Sequence, residues 1–308
     1  MKDNKVQRFK QAYQMNGPVR RRTLTIVGIA VAAILLIILL VALLGKKKPE
    51  PVEEPEEPLV IEPVEVEPVE VELPDGVQEA FDKYPDVHGW LLIPGTSKVL
   101  GTERDVDYAV AQHPTERDYY LSHDLDGNSS KAGTLFTEAE VEGITANGRD
   151  WNDPVTIIYG HNMANRSMFG GLQFYIRQLD YTQDNLMYIY QPGRKITYRI
   201  VGGVQYSLDH VLYYHNFNNP DVFNDFFATL WKDTDYYTNV DKNDIPTAGD
   251  RVLLLSVCKN GDDTHRYLIV GKVVEDTDEI NAANQAAAEE AALQAALEAQ
   301  AAKKNGNG

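Results

Sequence analysis

Cysteine is nearly absent: Cys258 is the single one in 308 residues. That excludes an internal disulfide and any zinc finger or ribbon built from several thiolates, so the lone thiol is either inert packing or a reagent. Positive charge is also scarce. Lys and Arg number 29 against 46 Asp and Glu, a formal net charge of -17, and a phosphate backbone needs clustered cations to neutralise it. Nucleic acid is therefore not an expected partner. The seven histidines are scattered without metal-ligand spacing, and neither a glycine-rich phosphate loop nor an internal repeat is evident.

What is present is strongly segmented. Residues 24–44 form a run of 21 positions without a charge, which as a helix reaches about 31 Å, the thickness of a bilayer's hydrocarbon core. A cleaved secretory signal has a shorter apolar region and a small-residue cleavage site, so an uncleaved transmembrane helix is the expectation. Residues 1–23 carry seven Lys and Arg, whereas Lys46, Lys47 and Lys48 are the only cations directly after the span. The positive-inside bias then keeps the N-terminal segment cytoplasmic and places everything after the span outside the cell. A spacer at 45–74 follows, whose last 26 residues, 49–74, hold seven prolines and ten glutamates. Proline blocks helix and sheet while the like charges repel, so this stretch is expected to be an extended strut of up to about 80 Å. At the other end, residues 279–308 form an Ala-rich tail with 12 alanines between 279 and 304. It is a strong helix former with little to bury, expected as a solvated helix or as a partner-binding one.

The folded domain is then expected at 75–278. The spacing of Val77, Ala80, Phe81 and Tyr84 predicts a short N-terminal helix. Strand signals dominate afterwards, at 90–93, 108–111, 133–136, 155–159, 186–190, 196–206, 252–257 and 267–274. Eight short strands point to a barrel or a sandwich. Two helical interruptions are expected at 168–179 and 221–231, the second with Val222, Phe223, Phe226, Phe227 and Leu230 on one stripe.

Chemistry-bearing residues gather at strand ends. Cys258 closes the apolar run Val252-Leu253-Leu254-Leu255-Ser256-Val257, and seven turn-forming residues lead from it to Arg266 and the next strand. A hairpin sets Arg266 beside Cys258, where a guanidinium favours the thiolate and can donate to a developing oxyanion. The competing reading is a buried inert thiol and a surface arginine. His161 follows the strand at 155–159, and near Cys258 its imidazole could move the proton a leaving amine requires. Taken alone it reads equally as a structural histidine. His123 is expected as a hydrogen-bonded loop residue, and His265 as a turn residue or a support for Arg266.

Taken together these residues carry a resemblance. The run Thr156-Ile157-Ile158-Tyr159-Gly160-His161-Asn162-Met163, followed by Ser167-Met168-Phe169, resembles the histidine motif of class B sortases. Leu255-Ser256-Val257-Cys258, with Arg266 eight positions on, resembles their cysteine and arginine motifs. Upstream, Tyr84-Pro85-Asp86-Val87-His88-Gly89-Trp90-Leu91, Ile93-Pro94-Gly95-Thr96 and the segment 119–127 resemble the family's entry segment. The likeness spans about 74–276.

The resemblance implies a mainly β fold, a sortase-type eight-stranded β-barrel with an N-terminal helix and a helix before the cysteine strand. It implies that Cys258 is the nucleophile that cleaves a sorting signal, similar to Leu-Pro-X-Thr-Gly or Asn-Pro-X-Thr-Asn, after Thr through a thioester. His161 becomes the general acid and base, and Arg266 the stabiliser of oxyanion and substrate. The acceptor becomes an amine of the peptidoglycan cross-bridge or of a pilin. No cofactor and no metal are implied, and the compartment is the outer face of a Gram-positive cell membrane. Ser256, Val257, Asn162 and His265 form an outer circle of candidates. Val257 departs from the family's usual threonine, and a hydroxyl lost beside the nucleophile costs about 1 to 3 kcal/mol if nothing replaces it. Two alternatives stay open on the residues alone: a hydrolytic cysteine peptidase, and a non-catalytic surface scaffold or adhesin on an acidic stalk.

Overall fold

The computed structural model describes residues 63–139, 147–232, 236, 238–258 and 264–306, with the backbone alone at Cys258 and at 304–306. The expected cytoplasmic segment, the membrane span at 24–44 and the spacer as far as residue 62 lie outside these residues. Among the described residues no helix is long and apolar enough to cross a membrane.

Eight strands close into a barrel: β1 (Val87–Ile93), β2 (Val106–Ala111), β3 (Leu135–Phe136), β4 (Val155–Gly160), β5 (Leu186–Gln191), β6 (Arg194–Ser207), β8 (Val252–Cys258) and β9 (His265–Asp276). Their order around the ring is β5-β1-β2-β3-β4-β8-β9-β6, and pairing of β5 with β6 completes it. All eight lie where the sequence pattern predicts strands. A ninth strand, β7 (Asn239–Val240), is a two-residue addition to the flank of β6.

β8 shows why the pattern was strong. It runs parallel to β4 and antiparallel to β9, so both of its edges are paired. Both faces are covered as well. Leu253, Leu255 and Val257 point into the barrel interior with Ile158, Tyr267 and Ile269, whereas Val252 and Leu254 point outward against a second core. A strand buried on both faces reads as a continuous apolar run rather than an alternating one.

The outer core is closed by helix α5 (Pro220–Leu230) and by the short α4 (Val211–Tyr214), both inserted between β6 and β8. Asn219 caps α5, accepting from the Asp221 amide at 3.0 Å, and Pro220 occupies its first turn, where a missing N–H costs nothing. Phe223, Phe226, Phe227 and Leu230 form its buried stripe, each contributing about 1.5 to 3 kcal/mol of burial. The remaining helices are α1 (Val77–Lys83), α2 (Thr96–Leu100), α3 (Leu172–Ile176) and α6 (Thr277–Gly306).

The strut and the tail meet, a departure from the expectation of two solvated appendages. The side chain of Gln285 on α6 donates to the Val64 carbonyl at 2.6 Å and accepts from the Val66 amide at 3.3 Å. Asn281, one turn earlier, accepts from the Val69 amide at 2.8 Å. The first turns of α6 thus clasp the backbone at the end of the spacer. The helix is itself fixed to the barrel by Asp276, which is 1 % exposed and accepts from Arg194 at 3.0 and 2.6 Å, from Arg251 at 2.7 Å and from the Asp278 amide at 3.1 Å. Burial works against this carboxylate, but the arginine hydrogen bonds outweigh it and hold its pKa below the ordinary aspartate value.

Candidate active site

Strand register assembles the site at one end of the barrel. The parallel β4–β8 ladder ends at the pair Gly160 and Val257, so His161 and Cys258 are the next residues on two neighbouring strands. The antiparallel β8–β9 ladder sets Cys258 directly opposite Arg266. Ser256 precedes Cys258 by two positions on β8, and strand alternation assigns Ser256 to the face of Val252 and Leu254, the side covered by α4 and α5.

The approach to His161 depends on a close backbone contact. A Cβ at Gly160 would lie 2.4 Å from Leu135 and 2.6 Å from the fully buried Phe169 ring, so only glycine lets β4 pass there. The loop after His161 folds back on it. The Phe169 amide donates to the His161 carbonyl at 2.9 Å, and the Gly171 amide donates to Asn162 Oδ1 at 3.1 Å. Met168 takes a φ of 55°, sparsely populated for a residue with a side chain, and is held there by burial and by the hydrogen bond its backbone N–H donates to the Tyr108 hydroxyl at 3.1 Å. Asn162 is thereby a loop-building residue.

Each of the two charged or titratable groups is held by a carbonyl. His161 Nε2–H donates to the Leu121 carbonyl at 2.7 Å, which assigns the proton to Nε2 and leaves Nδ1 as the unprotonated nitrogen of the neutral ring. Arg266 Nη1 donates to Ser256 Oγ at 3.1 Å and Nη2 to the Leu208 carbonyl at 3.4 Å, while its buried Nε has no hydrogen-bond partner among the described residues. Ser256 is therefore a support for the guanidinium. Leu121 and Leu208 themselves are exposed.

Two outer candidates fall elsewhere. Val257 is fully buried in the barrel interior, opposite Gly160 and Tyr267 in register. Its side chain packs in the core, so the expectation that it exchanges a hydroxyl beside the nucleophile is corrected: alternation along β8 turns residue 257 away from the face of Ser256. His265 pairs with Ser207 and bonds Thr264 through Nδ1 at 2.8 Å, one position off the face of Arg266. His123, as expected of a loop residue, donates from Nδ1 to the Tyr119 carbonyl at 2.8 Å and stacks on the Tyr119 ring.

A second cluster beside the site has no counterpart in the sequence reading. Glu138, just after β3, pairs with Arg117 Nε at 3.3 Å and with His210 Nε2. The Tyr159 hydroxyl lies 3.5 Å from His210 Nε2. Burial, reinforced by the Glu138 charge and opposed by that of Arg266, pushes the Tyr159 phenol up, so it stays a neutral hydroxyl. These residues come from distant loops, and no spacing in the chain announces them.

No protein-family model matches the chain. Two curated relatives do. Sortase B of Listeria monocytogenes is 29% identical over 193 residues, covering 61% of this chain and 70% of the relative. Sortase B of Staphylococcus aureus is 24% identical over 193 residues, 62% of this chain and 71% of the relative. Among solved structures, a Cys-to-Ser mutant of Clostridium perfringens sortase B superposes with a TM-score of 0.51 at 21% identity, over 64% of this chain and 86% of that one. A Bacillus anthracis protein described as similar to sortase B gives 0.51 at 20% identity, over 67% and 88%. These structures share the barrel. By sequence the chain is similar to class B sortases, a family of cysteine transpeptidases.

Proposed function

We propose that the chain is a membrane-anchored transpeptidase that cuts a sorting signal after its threonine and joins the new carboxyl end to an amine of the cell wall or a pilin. The register that sets Arg266 opposite Cys258, with His161 next on the neighbouring strand, is the observation that carries this reading. The Cys258 thiol gives its proton to the neutral His161, and the resulting thiolate attacks the threonyl carbonyl as the carbonyl π electrons move to oxygen. Arg266, already aimed by Ser256 and the Leu208 carbonyl, meets that oxyanion. Collapse breaks the C–N bond, and His161 gives a proton to the departing amine, leaving a thioester. In the second half an incoming amine attacks the thioester, His161 takes its proton, and the Cys258 thiolate leaves.

The exposed Leu121 and Leu208 flank the reacting groups and offer apolar surface to the leucine or proline of a signal similar to Leu-Pro-X-Thr-Gly or Asn-Pro-X-Thr-Asn. Anchoring rests on the uncharged run at 24–44 and its flanking cations, and locates the catalytic domain outside the cell. The test is to incubate the full-length chain in detergent with a panel of signal peptides, with and without triglycine. Amine-linked product from one class of signal is expected. Cleavage that triglycine never diverts would instead make the chain a hydrolytic peptidase.

A further inference from the structure

We propose that Glu138 is a positioning residue for transpeptidation: with Arg117 and His210 it latches the segment 208–214 to the barrel, and the Leu208 carbonyl of that segment holds the Arg266 guanidinium. This rests on the reading of Arg266 as the oxyanion's partner.

The Glu138 side chain is 10 % exposed, and a carboxylate so far out of water persists only with cationic or hydrogen-bonding partners. It has two. Arg117 lies at 3.3 Å on one oxygen, and the same oxygen takes the His210 ring. The Glu138 backbone is fixed as well, since its carbonyl accepts from Gln112 Nε2 at 3.1 Å, and Gln112 also donates to the Asn147 carbonyl at 2.9 Å. The carboxylate is therefore a rigid post and not a surface charge.

His210 converts that post into an orientation for the next segment. It is the residue before α4, and its Nδ1 accepts the Tyr213 amide at 3.1 Å as the helix cap. Nδ1 must then be unprotonated, so the proton sits on Nε2 and points at Glu138. One tautomer serves both contacts. Leu208 precedes His210 by two residues, and its carbonyl is the acceptor for Arg266 Nη2. The chain of contacts thus runs from Glu138 through His210 and the backbone at 208 to the guanidinium. Among the described residues Ser256 alone would leave Arg266 with one anchor, and its Nε has none. Arg117 depends on Glu138 in turn: its Nε and Nη2 are buried without a hydrogen-bond partner among the described residues, so the ion pair at 3.3 Å offsets their burial.

The experiment measures single-turnover acylation of Cys258 in the full-length chain in detergent, with a cleavable signal peptide. Four forms are compared: wild type, Glu138→Ala, Arg266→Ala and the double variant. Misplacing a pre-aimed oxyanion donor is expected to slow acylation about tenfold in Glu138→Ala, with KM changed less than about threefold. Because Glu138 acts through Arg266, the double variant is expected to be no slower than Arg266→Ala, a non-additivity that general destabilisation would not produce. Glu138→Gln, which keeps an acceptor for His210, should recover most of the rate. Should Glu138→Ala fail to fold, His210→Asn takes its place. Asparagine caps the helix but cannot span to Glu138, and the same loss is expected. Wild-type rates in Glu138→Ala or His210→Asn, or a double variant slower than Arg266→Ala by the full factor of the single change, overturn the proposal. A wild-type chain that never acylates removes the underlying reading of Arg266, and is distinguished from failure of the latch by that control.

Discussion

Acidification should destabilise the domain through a histidine that takes no part in the reaction. His88 on β1 is 3 % exposed and stacks on Trp151 with ring centroids 4.8 Å apart. Its Nε2 accepts the Thr137 hydroxyl at 2.8 Å, and Nδ1 donates to the Arg149 carbonyl at 3.4 Å. Burial, with the nearby Arg149 charge, pushes its pKa from 6.5 down to about 3, although the Arg149 carbonyl acts the other way. Between those two values the unfolded chain binds a proton that the folded one refuses, so stability is lost as pH falls through 6.5 towards about 3. Each pH unit inside that window costs about 1.4 kcal/mol, which makes the step from pH 7 to pH 4.5 worth about 2 to 3 kcal/mol. Asp105 and Asp276, whose carboxyls are held below their ordinary value of 3.8, lose their contribution only at lower pH. The assay is urea unfolding of wild type and His88→Gln at the two pH values. Wild type should lose the stated amount. The variant should start less stable at pH 7 and change little. A variant that falls as steeply as wild type refutes the reasoning.

Three further outcomes are expected. Asp276→Asn removes the charge that joins Arg194 and Arg251 under α6, and breaking a buried pair from one side costs about 3 to 5 kcal/mol, measurable by urea denaturation. Val257→Thr inserts a hydroxyl among Tyr267 and the barrel core, so it should cost about 1 to 3 kcal/mol of stability and leave the acylation rate of the folded fraction unimproved. Gln285→Ala should raise hydrogen exchange at the Val64 to Val69 amides while exchange in β8 stays unchanged, since the clasp touches only the spacer.

The barrel was legible because its strands are buried on one or both faces, and burial writes itself into period-two alternation or into runs such as Val252 to Val257. α2, α4 and β7 were not, being five, four and two residues long, too short for any period. Cys258, His161 and Arg266 could be grouped because each sits at a strand end, where register alone decides who is adjacent. The same alternation turns Val257 away from Ser256, a signal the sequence itself carries. Glu138, Arg117 and His210 converge from three loops, His210 and Glu138 being 72 residues apart, and only the folded chain brings them together. The clasp between Gln285 and the spacer backbone reads peptide groups and not side chains, which no pattern of residue types encodes.

The central claim is that Cys258 becomes acylated by a sorting signal and passes the acyl group to an amine. Mass spectrometry of the full-length chain after brief exposure to signal peptide tests it most directly. A thioester on Cys258 is expected, one that disappears on adding triglycine as amide-linked product forms and that is absent in Cys258→Ala. Signal cleavage that persists in Cys258→Ala would contradict it.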